Sequence, residues 1–201
     1  MPARSSRRGG AGADPDQRTA PTTRTDPMEH AREICLRQLA VRPRTRAELA
    51  TALRRRGVDD EVASEVLDRY NDVGMIDDEA FARAWVTSRH HGKGLARRAL
   101  AGELRRKGVD SEAVGEALEE LDPATEEDTA RALVARRLRI ERTAAPDAVF
   151  RRLVGMLARK GYPAGLAIRV VKDALAADAA TAEFADGIDP DALAEAVDPA
   201  E

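Results

Sequence analysis

The sequence predicts an all-α protein made of three tandem three-helix modules, nine helices in all. The main observation is a phrase that the chain repeats: Leu49 to Val58, Leu100 to Val109 and Leu153 to Tyr162. Each copy has two leucines four apart, a basic pair, a glycine and an apolar residue directly after it. Leucines at i and i+4 share a helical face, and a glycine just past the last turn supplies a left-handed cap. Composition is the second observation. Aromatics are 3% and charged residues 34% of 201 residues, which suits several small Ala- and Leu-rich cores better than one large one. Third, no stretch alternates with period two over a useful length, so no strands are expected.

Residues 1–28 are rich in Pro, Gly, Ser, Thr and Arg without periodicity, the composition of a disordered tail. Module one, residues 29–75, begins with a helix from Glu29 to about Leu39 bearing Ile34, Leu36 and Leu39, and Pro43 separates it from the next. Thr45 and Glu48 form a capping box at the start of the first phrase helix. Asp59 caps a return helix to Tyr70 with Val62, Val66, Leu67 and Tyr70 on one stripe. In module two, residues 76–123, Asp77 caps a helix to about His90 on which Phe81, Ala84, Trp85 and Ser88 share a face. After Gly92 and Gly94 come the second phrase helix and a return helix capped by Asp110, with Val114, Ala117, Leu118 and Leu121 inward and Pro123 at its end. Module three, residues 124–176, opens at Thr125 and Asp128 with a long helix to about Arg142 on Ala130, Leu133, Val134 and Leu138. Pro146 starts the third phrase helix and Pro163 the last full one, with Ile168, Val171 and Leu175 inward. Residues 177–201 form an acidic tail with at most a short helix after Pro190.

If Gly108 is the left-handed cap, Leu104 packs against Val109 across it, and the same pairing joins Leu53 to Val58 and Leu157 to Tyr162. The phrase is then the hinge of a tight helix-turn-helix, repeated at spacings of 51 and 53 residues.

The net charge of −3 conceals a segregation: residues 1–28 sum to +2, residues 176–201 to −8, and the body between them is basic. A basic body with an acidic tail suits a protein that meets a polyanion. A single cysteine, Cys35, allows no internal disulfide, and no secretory signal or apolar run of about 18 residues is found, so a cytoplasmic protein without a membrane partner is expected. Enzyme chemistry has little to stand on. There is no phosphate loop, nucleophile elbow, H-E-x-x-H or C-x-x-C, and Gly92-Lys93-Gly94 lacks the preceding strand and third glycine of a dinucleotide fingerprint. Adjacent His90 and His91 diverge by about 100° and read as a polar helix end, and Cys35 reads as core. No cofactor or metal is expected.

Arginine is the strongest functional signal. Arg55, Arg56, Arg106, Lys107, Arg159 and Lys160 occupy the last turns before the three glycines. There a cation facing the helix dipole contributes about 0.3–1 kcal/mol, so capping and partner binding explain them equally well. Arg98 and Arg105 are seven apart, on one line nearly opposite Leu100 and Leu104. With Arg97, Arg136, Arg137, Arg139, Arg142, Arg151 and Arg152 they give modules two and three an arginine surface. Preference for Arg over Lys favours phosphate or carboxylate recognition, because the guanidinium fork grips two oxygens.

The segment Ile76 to Arg89 (IDDEAFARAWVTSR), followed by Gly92, Gly94, Arg98, Glu103-Leu104 and Arg106-Lys107-Gly108, resembles the RecX regulatory family. Pro43 to Leu49 and Leu157 to Tyr162 with Ile168 and Val171 fit the same family, so the likeness runs over about residues 30–176. Trp85 departs from it, since Phe or Tyr is more usual there. The resemblance implies an elongated, curved array of nine helices. It implies a monomer that binds the filament of the RecA recombinase in its groove, inhibits its ATPase and strand exchange, and has some affinity for single- or double-stranded DNA. By analogy, contact roles fall on Arg89, Arg98, Arg106, Lys107, Arg159 and Lys160, while Asp77, Phe81 and Trp85 look structural. The rival reading, a stand-alone tandem helix-turn-helix DNA-binding protein, expects cations on the second helix of each turn. Here they lie on the first.

Overall fold

The computed structural model describes residues 26–140 and 145–197, and within them every regular element is a helix. In chain order these are α1 Pro27–Leu39, α2 Arg46–Arg54, α3 Asp60–Asp72, α4 Asp78–Lys93, α5 Arg97–Arg106 and α6 Ser111–Glu119. They continue as α7 Pro123–Leu138, α8 Pro146–Arg159, α9 Ala164–Ala176, α10 Ala182–Asp186 and α11 Pro190–Val197. Among the described residues eleven helices stand where nine, with at most a short one after Pro190, were expected.

The helix starts follow the side chains available to satisfy free N–H groups. The capping box at Thr45 and Glu48 forms as expected, Asp77 accepts from the Ala80 amide at 2.7 Å, and Asp110 accepts from Glu112 and Ala113. Three starts differ from expectation. Asp26 accepts from Met28 and begins α1 before Glu29, so residues 27 and 28 belong to a helix rather than a tail. Asp122, not Thr125, caps α7, because Pro123 suits the first helical position and lets the preceding carboxylate reach the Thr125 amide. Asp59 occupies the N-cap position of α3 without making a side-chain bond. The expected extension of α7 to Arg142 falls partly outside the described residues, as does most of the N-terminal tail.

All three phrases end as a left-handed glycine cap requires. Gly57, Gly108 and Gly161 have φ of 74°, 78° and 89°. The amides of Val58, Val109 and Tyr162 donate to the carbonyls of Leu53, Leu104 and Leu157 at 3.2, 3.2 and 3.1 Å. The leucines point into three hydrophobic clusters. One gathers Ile34, Leu49, Leu53, Val66, Leu67 and Tyr70 from α1–α3, and a second gathers Val86, Leu100, Leu104, Val114 and Leu121 from α4–α6 and the turn that follows. The third gathers Val134, Leu153, Leu157, Tyr162, Val171 and Leu175 from α7–α9, and extends to Ala185 of α10. Cys35 is buried in the first cluster, where burial pushes its thiol up to about 11.

The acidic tail is not featureless. Phe184 of α10 meets Phe150 edge-on at 6.2 Å, Lys172 donates to the Ile188 carbonyl at 2.7 Å, and Ala185 and Ile188 are buried. The reason is apolar spacing: Phe184, Ala185 and Ile188 give the acidic segment an inner side that covers α9, while its carboxylates face out. His90 also departs from its reading as a polar helix end. It is buried, with Nδ1 2.9 Å from the Leu95 carbonyl and Nε2 2.9 Å from Thr129 Oγ1, and so ties the end of α4 to α7.

Between clusters, two junctions repeat. At the first, Thr45 Oγ1 donates to the Lys107 carbonyl at 2.7 Å and the Arg46 amide donates to Asp78 Oδ1 at 2.9 Å. At the second, the Ala96 amide donates to the Lys160 carbonyl at 2.9 Å and the Arg97 amide to Glu126 Oε1 at 2.8 Å. The start of α2 therefore sits on the end of α5, and the start of α5 on the end of α8. The positive end of one helix dipole meets the negative end of the next.

Candidate functional site

A cationic cleft lies beside each junction. The first encloses about 650 Å³ and is lined by Arg44, Arg55, Arg56, Arg105, Arg106 and Lys107 over a wall of Ala47, Thr51 and Ala52. The second, about 510 Å³, is lined by Arg98, Arg106 and Arg159 over Ala99, Gly102 and Gly161. The phrase explains their likeness: small residues on one phrase helix form the wall, and cations ending both that helix and the next supply the charge, Arg55, Arg56, Arg106 and Lys107 in the first cleft and Arg106 and Arg159 in the second. Arg106 lines both clefts.

The acids nearby are already engaged. Glu48 receives hydrogen bonds from Lys107 Nζ at 2.9 Å, Arg42 at 3.0 Å and the Thr45 amide at 3.3 Å. Burial alone would raise its pKa, but these donors overcome it and hold the carboxyl down at about 2. Glu103 accepts from Trp85 Nε1 at 2.8 Å and pairs with Arg89 at 3.5 Å. By contrast, the side chains of Arg44, Arg55, Arg56, Arg98, Arg105, Arg106 and Arg159 have no ion pair or hydrogen bond among the described residues. All but the half-buried Arg44 are exposed. Guanidinium groups gathered without counter-charges attract anions, and their forks match carboxylate or phosphate oxygens.

The expected site residues therefore divide. Arg98, Arg105, Arg106 and Arg159 reach the clefts, although Arg98 and Arg105, placed on one line by their spacing, serve different ones. Lys107 lines the first cleft but is held by Glu48, and its ammonium lies over the Trp85 ring at 4.3 Å. Arg89 lies on the same ring at 4.1 Å. Arg97 pairs with Glu126 at 3.6 Å and donates to the Leu121 carbonyl, and Arg151 pairs with Asp147 at 2.7 Å. Lys160 donates to the Lys93 carbonyl; burial, helped by Arg136 and Lys93, lowers its pKa. Arg137 and Arg152 are exposed on α7 and α8. Sequence reasoning missed Arg44 and left Arg55 and Arg56 equally divided between capping and partner binding. Their repeat of the Arg106 and Lys107 positions was the available signal for those two, whereas Arg44 had none beyond its place beside Pro43. Among the described residues, no group of three or more His, Cys, Asp or Glu could hold a metal ion, and no helix is long and apolar enough to cross a membrane.

Comparison with known proteins supplies a family. Profiles for the first and second three-helix domains of RecX match residues 31–69 and 77–118. The chain is 59% identical over 150 residues to regulatory protein RecX of Streptomyces coelicolor, covering 75% of this chain and 80% of that one. It is 55% identical over 159 residues to regulatory protein RecX of Thermobifida fusca, covering 79% and 86%. The fold is similar to the crystal structure of RecX from Lactobacillus salivarius, with a TM-score of 0.67 at 18% identity over 74% of this chain and 96% of that one.

Proposed function

The chain belongs to the RecX family of regulatory proteins, and from that premise we propose that it binds filaments of the RecA recombinase and restrains their ATP hydrolysis and strand exchange. The observation that carries the reading is the pair of repeated clefts with unpaired arginines and a shared Arg106. A filament of protein on DNA presents carboxylates and phosphates at regular intervals. Two clefts that meet at Arg106, one running along the roughly 15 Å of α5 and the other continuing past its end, can engage neighbouring anionic sites at once. We take residues 29–75, 76–123 and 124–176 as the modules that place these clefts, in a chain that acts by occupancy and not by catalysis.

Adding the protein to RecA on single-stranded DNA is expected to slow ATP hydrolysis in proportion to filament occupancy. Unchanged turnover at saturating protein would refute the proposal. Direct action on DNA gives a different result: affinity for a bare oligonucleotide that falls steeply with salt and accounts for all binding to the filament. The filament reading expects association that survives moderate salt.

A further inference from the structure

An apolar groove opens beside the first cationic cleft, with Arg44 common to both. It encloses about 410 Å³ between the end of α1, the turn before α2 and the outer face of α4, within the usual range of binding pockets. Leu39, Met75, Phe81, Ala84 and Trp85 form its apolar surface, with Arg42 and Arg44 at the rim. Met75 is 43% exposed there. This is the face of α4 that the sequence groups as Phe81, Ala84, Trp85 and Ser88; the core side of the helix is Ala82, Val86 and His90. Arg44 lines both the groove and the first cleft, and its Nε is buried without a hydrogen-bond partner.

We infer that this groove is a docking site for an acidic protein segment whose apolar anchor side chain fills the groove while a neighbouring carboxylate takes the Arg44 guanidinium. The inference rests on the filament reading above and names the chemistry of the segment it would hold. Charge complementarity sets the acid: Arg44 lacks a partner, and five further cations continue from it along the first cleft. The anchor follows from the apolar floor. A nucleobase fits less well, because the aromatic faces on which it would stack are taken. Phe81 stacks on Trp85 at 5.5 Å and 18°, and Arg89 and Lys107 lie over the Trp85 ring at 4.1 and 4.3 Å.

The test uses the full chain with Met75→Glu, Ala84→Glu and Arg44→Ala. Helicity and melting temperature confirm folding, co-sedimentation with RecA filaments reads partner binding, and anisotropy of a labelled oligo(dT) reads DNA binding. The expected result is at least a tenfold loss of filament affinity in all three, with oligo(dT) affinity changed less than twofold by Met75→Glu. Filament binding by Met75→Glu and Ala84→Glu equal to the unsubstituted chain overturns the groove while leaving the filament reading intact. Parallel losses on filament and oligo(dT) make the occupant nucleic acid and overturn the inference. If the unsubstituted chain fails to sediment with filaments, both readings fall together.

Discussion

The repeated junctions predict that one substitution, Gly→Ala, has two different costs at three equivalent positions. At Gly57 an added Cβ meets nothing within 4 Å, so Gly57→Ala costs only the strain of a left-handed L-residue, about 1–2 kcal/mol. At Gly108 the same Cβ would stand 2.2 Å from the Ala47 Cβ. Carbon atoms pack at about 3.5–4.0 Å, so the start of α2 must withdraw by about 1.5 Å. The bond from Thr45 Oγ1 to the Lys107 carbonyl, now 2.7 Å, then opens beyond hydrogen-bonding range. Losing it costs about 1 kcal/mol and the overpacking about 1–3 kcal/mol more, so Gly108→Ala should cost about 3–6 kcal/mol in total. Gly161→Ala belongs with it, since its Cβ would lie 2.5 Å from the Ala99 amide nitrogen and 2.7 Å from its Cβ. Urea denaturation followed by circular dichroism measures all three. Equal losses at Gly57, Gly108 and Gly161 would refute the claim that two of these caps are sockets and one is open.

Other outcomes follow from the same contacts. Glu48 carries a folded pKa of about 2 against an ordinary value near 4.3, so its contribution, up to about 3 kcal/mol, is complete above the ordinary value and disappears as pH falls toward 2. Glu48→Gln should therefore destabilise at pH 7 and converge with the unsubstituted chain near pH 2 in urea titrations at each pH. Under the filament proposal, charge reversal at Arg106, shared by both clefts, should weaken inhibition of RecA ATP hydrolysis at least tenfold. Arg151→Glu, which replaces a residue paired within its own helix, should change it less than threefold in the same titration. Truncation after Asp178 removes Phe184, Ala185 and Ile188 from the cover of α9, and thermal melts should show a loss of about 2–4 kcal/mol. No change there would mean that α10 and α11 rest on α9 without supporting it.

Much of the fold was legible because its signals are local. A glycine four residues after a leucine, or an aspartate before a helical stripe, announces its partner within one turn, and those caps form where expected at Gly57, Gly108, Asp77 and Asp110. The junctions were not legible, since every bond in them has a main-chain group on at least one side: the carbonyls of Lys107 and Lys160 accept, the amides of Arg46, Ala96 and Arg97 donate, and a main-chain group carries no residue type. The division of the arginines was hidden for a related reason. Lys107 is held by Glu48 and Arg97 by Glu126, pairs separated by 59 and 29 positions, and chain distance cannot reveal which cations have counter-charges. The acidic C-terminal segment was underestimated because charge dominates its composition while three apolar side chains decide its packing.

The direction of the junctions has a consequence for how the chain is made. Each helix start rests on a turn that lies later in the sequence, 62 residues later for Thr45 and Lys107. At a synthesis rate of about 5–20 residues per second, the first bundle leaves the ribosome several seconds before its seat exists. Only the last repeat is sealed by what immediately follows it, the short helices over α9. A chain ended between α3 and the end of α8 would thus display an unseated helix start, at Thr45 until Lys107 is added and at Ala96 until Lys160 is.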